Sequence, residues 1–89
     1  MEIRYRTSFI RDLKKLKKKP LYDKIHLVAF QALPQAAGLA EVPGVKALAG
    51  ATNRYRIRVG NYRIGVRLDG SVLELVRVLD RREFYRYFP

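Results

Sequence analysis

The stretch that decides the fold is Arg54-Tyr55-Arg56-Ile57-Arg58-Val59-Gly60-Asn61-Tyr62-Arg63-Ile64-Gly65-Val66-Arg67-Leu68. Two runs of alternating polar and apolar residues flank Gly60-Asn61, a two-residue turn signal, so the stretch reads as a β-hairpin. With Gly60 and Asn61 as the loop, Val59 lies opposite Tyr62, Ile57 opposite Ile64 and Tyr55 opposite Val66. These residues form the core face. On the other face Arg58 meets Arg63, Arg56 meets Gly65 and Arg54 meets Arg67. A one-residue slip would bury the arginines, so the register has little freedom. Five arginines then share one face, where like charges directly opposite each other are destabilising. Folding alone gains nothing from this face. A solvated surface, or a cationic guard against edge aggregation, is the plain account. Gly65 points instead to a phosphate-binding patch, because a strand-interior glycine marks close approach by a ligand or another backbone.

Working outward, Asp69-Gly70 reads as a second hairpin turn, and residues 72–79 are apolar on both faces, as in a central strand. That turn sets Glu74 opposite Gly65 on the arginine face, as a general base or as a counter-ion to the arginines. Arg77 falls on the apolar face, so it either snorkels at the sheet end or is shifted by a bulge. Asp80-Arg81-Arg82-Glu83 has capping-box spacing, with Asp80 as the cap of a short final helix over residues 84–88. Toward the N-terminus, Glu2-Ile3-Arg4-Tyr5-Arg6 alternates and reads as a first strand. Thr7 or Ser8 then caps a helix with Phe9, Leu13 and Leu16 on its apolar side and Arg11, Asp12, Lys14, Lys15 and Lys17 on the other. A second helix spans residues 21–33 and ends at Pro34 and Gly38, so the two form a helical hairpin. Residues 34–50 read as a loop with room for an extra turn. The expected fold class is α+β: a mainly antiparallel twisted sheet, β-α-α-β-β-β with a short C-terminal helix, and the helical hairpin packed on one face.

The 89 residues make one domain, residues 1–89. Lys and Arg number 19 against 8 Asp and Glu, a net charge of +11. Such a surface attracts polyanions, nucleic acid first. Cysteine is absent and His26 is the sole histidine. That excludes disulfide frameworks, thiolate metal sites and two-histidine catalysis, and His26 itself reads as a packing or surface residue of the second helix. No apolar run approaches the roughly 18–20 residues of a membrane span, and the N-terminus lacks a leader's apolar stretch, so a cytoplasmic protein without a membrane partner is expected. All lysines lie in the first 46 residues, and from Arg54 onward every cation is arginine. The run Lys14, Lys15, Lys17, Lys18 and Lys19 is either the solvated face of a helix or a docking surface for scattered phosphates.

Across nearly its whole length the chain resembles the RelE/ParE superfamily of toxins from toxin–antitoxin pairs. The carrying residues are Phe9, then Asp12-Leu13-Lys14-Lys15-Leu16 and Lys46-Ala47-Leu48-Ala49-Gly50. They continue with the tyrosine–arginine hairpin and Arg81-Arg82-Glu83-Phe84-Tyr85-Arg86. The resemblance implies a sheet backed by a helical hairpin and an antitoxin partner. For RelE-like members it implies cleavage of messenger RNA in the ribosomal A site. ParE-like members instead poison DNA gyrase, and a third alternative is a homologue that binds nucleic acid without turnover. By resemblance the catalytic positions are Arg56, Arg58, Arg63, Arg81 and Tyr85. Arg54, Arg67, Arg82, Lys46, Lys14, Lys15 and Lys18 are the candidates for RNA contact. Asp80 stands where the family often has histidine, and Ala49 where it has a basic residue before the loop glycine. The implied chemistry is attack of the 2′-hydroxyl on the adjacent phosphate, with no metal and no small-molecule cofactor.

Overall fold

A computed structural model describes the whole chain, Met1–Pro89. The strands are β1 (Glu2–Tyr5), β2 (Val45–Ala47), β3 (Arg54–Val59), β4 (Tyr62–Asp69) and β5 (Val72–Asp80). The helices are α1 (Thr7–Lys14), α2 (Tyr22–Leu27), α3 (Leu33–Gln35) and α4 (Arg81–Tyr87). A π-helical stretch, Val28–Ala32, joins α2 to α3, and a 3-10 turn occupies Leu39–Glu41. The five strands form one sheet in the order β1-β5-β4-β3-β2, with β1 parallel to β5 and every other pairing antiparallel. This is the expected α+β class, with one more strand than the sequence pattern suggested. β2 lies in the stretch read as loop and pairs Lys46 with Arg56. At three residues it is too short to leave a periodic signal.

The inner face of the sheet carries Ile57, Val59, Tyr62, Ile64, Val66, Leu73, Leu75 and Val78 against Phe9, Leu13, Ile25, Ala29 and Leu33 of the helical layer. The hairpin between β3 and β4 has the expected register at every pair, from Val59–Tyr62 to Arg54–Arg67. The next turn differs. Its loop is Gly70-Ser71, not Asp69-Gly70, so Asp69 pairs with Val72. Gly60 and Gly70 have φ of +59° and +60° and each is the first loop residue, whereas Asn61 and Ser71 have no positive φ. A positive φ at the first central position alone fits a type II′ turn, which calls for glycine there. Glycine followed by a polar residue is therefore the signal in both turns.

That two-residue difference and a bulge at Gly65/Val66 correct the outer face. Glu74 pairs with Arg67, and Arg77 takes the place opposite Gly65. The bulge puts Arg77 on the outer face and spares the apolar side a guanidinium.

The bulge also explains α1. β1 covers β5 only as far as Leu75. Beyond it, the Ser8 hydroxyl donates to the Val76 carbonyl at 2.6 Å, and the Asp12 carboxylate accepts from the Val78 amide at 3.1 Å. One helical turn apart, Ser8 and Asp12 stand in for the missing strand and satisfy its edge. Asp12 also takes the Arg77 guanidinium in two bonds, at 2.7 and 3.1 Å. Asp12 is thus buried, not on the solvated side. Neither Thr7 nor Ser8 caps α1: Arg6 holds the cap position without a side-chain bond.

Candidate nucleic-acid interface

α4 lies on the outer face of the sheet, across from the helical layer. Its cap is the one expected: the Asp80 carboxylate accepts from the Arg82 amide at 2.8 Å. The helix begins three residues earlier than expected, at Arg81. Its start is tied to the hairpin turn, because the Arg81 amide donates to the Asn61 carbonyl at 2.8 Å and the Asn61 side chain donates to Asp80 at 3.3 Å. Its apolar side, Phe84 and Phe88, is buried with the rings 5.4 Å apart. The Phe88 ring lies directly over Gly65. The glycine floor therefore admits neither a ligand nor a backbone. It is the socket for an aromatic ring of the same chain, which corrects the reading of Gly65 as part of an open phosphate patch.

With α4 so anchored, Arg81 and Tyr85, one helical turn apart, face the turn end of the hairpin. Arg63 is the centre of the group. Its guanidinium donates to the Gly60 and Tyr62 carbonyls, each at 3.0 Å, and the residue is only 8 % exposed. Burial lowers its pKa, and the fields of Arg56, Arg58 and Arg81 lower it further, while Tyr85 opposes them. Arg56, Arg58, Arg63, Arg81 and Tyr85 are thus brought together electrostatically. Arg56 is braced by a bond to the Gly44 carbonyl at 2.6 Å. Lys46 pairs with Arg56 at the rim. Tyr85 is 58 % exposed. Arg58, Arg81 and Tyr85 are exposed around the buried Arg63, and no cleft is lined by Arg63, Arg81 or Tyr85, although Arg58 borders one on the helical side.

The carboxylates are distributed unevenly. Every salt bridge in the molecule involves Arg6, Arg67 or Arg77. Arg56, Arg58, Arg63 and Arg81 have none. Glu74 lies at the other end of the hairpin, 3.1 Å from Arg6 Nε and 3.8 Å from Arg67, and is 6 % exposed. Its place is that of a counter-ion. Four residues of strand, about 13 Å, separate Arg67 from Arg63.

The other candidates do not converge on this group. Arg54 and Arg67 flank a separate cleft. Arg82 is exposed on the first turn of α4. Lys14, Lys15 and Lys18 are exposed on the helical side of the sheet, and of these only Lys15 shares a groove with Asp80 and Glu83. His26 lies between Tyr22 and Phe30 in the helical layer, its ring tilted against both, away from the arginines. No three His, Asp or Glu side chains stand close enough to hold a metal ion, and no helix is long and apolar enough to cross a membrane. Sequence reasoning missed Asp12, Asn61 and Phe88 as positioning residues. The signal for Asp12 was present: residues 9, 12, 13 and 16 fall on one helical stripe.

A helical layer under a mainly antiparallel sheet, an arginine-faced hairpin and a C-terminal helix presenting arginine and tyrosine define a RelE-like toxin of type II toxin–antitoxin systems. The sequence matches the ParE toxin family of the type II parDE system over residues 3–85, and the chain belongs to that family. It is 34 % identical to Toxin RelE3 of Methanocaldococcus jannaschii over 90 residues, covering 100 % of both chains. A chain of the RelB–RelE antitoxin–toxin complex from Methanococcus jannaschii superposes with a TM-score of 0.75 at 32 % identity, covering 97 % of this chain and 99 % of that one. A chain of the RelBE2 toxin–antitoxin complex from Mycobacterium tuberculosis gives 0.69 at 25 % identity, covering 90 % and 96 %. YafQ from E. coli shares the fold, with a TM-score of 0.69 at 16 % identity over 91 % and 93 % of the two chains. The superfamily resemblance read from the sequence therefore stands.

Proposed function

We propose that residues 1–89 act as one cytoplasmic toxin domain, a ribosome-dependent endoribonuclease that cleaves messenger RNA in the A site. One observation carries the reading: Arg56, Arg58, Arg63 and Arg81 converge with no salt bridge to a carboxylate, while Asp12, Asp69 and Glu74 pair with Arg6, Arg67 and Arg77 elsewhere. Such a group is costly to a fold and useful to a phosphate.

The 2′-oxygen attacks the adjacent phosphorus, the P–O5′ bond breaks, and the products are a 2′,3′-cyclic phosphate and a 5′-hydroxyl. Negative charge grows on the equatorial oxygens of the phosphorane. Arg63, held by two backbone carbonyls, has further N–H donors for those oxygens, and Arg56 and Arg58 flank it. Preorganised charge of this kind is commonly the largest catalytic contribution. Tyr85 either polarises the 2′-hydroxyl or stacks on a base, and Arg81 supports the departing 5′-oxygen. A guanidinium stays charged near neutral pH even when its pKa is lowered, so it is a poor base. With His26 remote, the site lacks an efficient proton acceptor, and free RNA should be cut slowly. An open surface that stabilises charge but does not enclose its substrate gains most from a partner that aligns the RNA, an effect worth several orders of magnitude. The ribosome fills that role. The neutralising partner is a cognate antitoxin, as in the complexes of the similar chains.

The match to the ParE family and the lack of a histidine near Arg63 favour a second reading, a gyrase poison without RNA cleavage. Primer extension on messenger RNA in a purified translation system separates the two. The nuclease cuts within the A-site codon, and Arg63→Ala loses about 100-fold or more of that rate. A folded wild-type protein that leaves the message intact and traps gyrase on cleaved DNA overturns the first reading.

A further inference from the structure

We propose that the cleft ringed by Arg6, Arg54, Arg67 and Arg77 is a second phosphate site, which takes a backbone phosphodiester of single-stranded RNA two nucleotides from the bond held at Arg63. The proposal rests on the RNA reading above. The cleft has a volume of about 450 Å³ and lies beyond Phe88, at the far end of the hairpin. Its arginines come from four places in the fold: the β1–α1 junction, β3, β4 and β5.

The charge balance selects the ligand. Glu74 sits between Arg6 and Arg67, Asp69 stands 3.7 Å from Arg67, and Asp12 holds Arg77. Three of the four arginines are thus paired, and Arg54 alone is left without a carboxylate at the cleft, whose wall also includes Tyr87, Phe88 and Pro89. One unpaired guanidinium matches a singly charged phosphodiester better than a dianionic terminal phosphate. Donors are also left over. A guanidinium has five N–H groups. Arg54 gives one to the Thr52 carbonyl at 3.1 Å and has no carboxylate partner.

Spacing selects the distance. Arg58, Arg56 and Arg54 stand on one face of β3 at every second residue, about 6.7 Å per step. This is close to the backbone repeat of an extended single strand. α4 packs on β4 and β5, so the outer face of β3 is left as a track from the Arg63 group to the cleft. The second step from Arg58 ends at Arg54. At the rim, the exposed Tyr87 ring lies 5.3 Å from Arg77 Cζ and offers a face for a base.

Fluorescence anisotropy with 2′-O-methyl oligouridylates of two to six nucleotides tests this without cleavage, because the attacking hydroxyl is blocked. Two sites two steps apart require three phosphodiesters. Wild type should therefore gain affinity sharply between the trinucleotide and the tetranucleotide. Arg54→Ala and Arg54→Gln should each abolish that step, weakening the hexanucleotide about tenfold and leaving the dinucleotide unchanged. Their salt dependence should fall by about 0.7 in log–log slope. Arg63→Ala should weaken every length. If both Arg54 variants, folded by thermal unfolding, keep the step, or lose affinity equally at all lengths, the second site is refuted while the RNA reading survives. If wild type binds no oligonucleotide of any length, the second site is refuted, and primer extension on the ribosome decides the RNA reading separately.

Discussion

A methyl group at position 65 would meet the Phe88 ring at 2.7, 2.8 and 2.9 Å. Ordinary carbon–carbon contact needs about 3.5 Å or more, so the ring must retreat by roughly 0.7–0.8 Å. Phe88 cannot retreat alone. It is 4 % exposed, and its amide is bonded to the Phe84 carbonyl at 3.0 Å, so the end of α4 moves with it. Overpacking of this kind costs about 1–3 kcal/mol. Gly65 has no positive φ, and an alanine in a strand otherwise gains about 0.5–1 kcal/mol over glycine. The net expectation for Gly65→Ala is a loss of about 0.5–2 kcal/mol, or roughly 3–12 °C in Tm for a domain of this size. Arg81 and Tyr85 ride on the same helix. A displacement approaching 1 Å there should reduce A-site cleavage by about 10–100-fold. Thermal unfolding by circular dichroism and primer extension give the two readouts, repeated in a Phe88→Ala background. There the clash is gone, and Gly65→Ala should be neutral or stabilising, a coupling of about 1–2 kcal/mol. A Gly65→Ala protein that melts at or above wild type, or loses the same stability in both backgrounds, refutes the socket and the positioning role given to Phe88.

Three further changes probe the charges. Asp12→Asn removes the partner of Arg77 and weakens the cap on the Val78 amide, so urea unfolding should show a loss of about 2–4 kcal/mol. Asp12 raises the Arg77 pKa, so the Arg77 contribution is complete below the guanidinium's ordinary range and fades only as pH rises through the elevated value. On this account the Tm difference between wild type and Asp12→Asn stays constant between about pH 7 and 10, and a difference that shrinks there would contradict it. Arg58→Gln takes one like charge from beside Arg63 and should raise Tm by about 1–5 °C while lowering cleavage, a trade that differential scanning calorimetry and primer extension would expose together. Glu74→Gln separates counter-ion from base: stability should drop by about 1–3 kcal/mol with cleavage kept within a few-fold, and loss of cleavage at unchanged Tm would make Glu74 a base after all.

How far the sequence could be read follows from the range of each signal. The hairpin of β3 and β4 was legible pair by pair, because a two-residue turn and a period of two leave one register. The cap at Asp80 was legible for the same reason: it is decided within three residues. Glu74 was placed on the right face but opposite the wrong partner, because a shift of two residues at Gly70 moves every partner of β5, whereas the misfit of Arg77 on the apolar face already offered the bulge as one of its two explanations. Gly65 shows the limit most clearly. Its neighbours announce close approach, but the approaching group comes from residue 88, and no local pattern connects the two. Of the candidate site, the group around Arg63 could be named from the hairpin and the terminal helix. Its supports could not, since Asn61 and Phe88 act across the fold.

The placement of the acids explains how so unfavourable a cluster survives. Asp12 is held at the edge of β5, where it satisfies the Val78 amide and Arg77 together. Asp80 caps a backbone amide and accepts from Asn61. Glu74 is confined between Arg6 and Arg67. Asp12 and Asp80 are each fixed by a backbone amide, and Glu74 is buried beside two guanidinium groups at the far end of the hairpin. None of the three pairs with the cluster, and the repulsion among Arg56, Arg58, Arg63 and Arg81 stays in the folded chain. The stability to carry it comes from both faces of the sheet, the helical layer inside and Phe84 with Phe88 outside. A polyanion that binds there relieves the repulsion as well as making its own contacts.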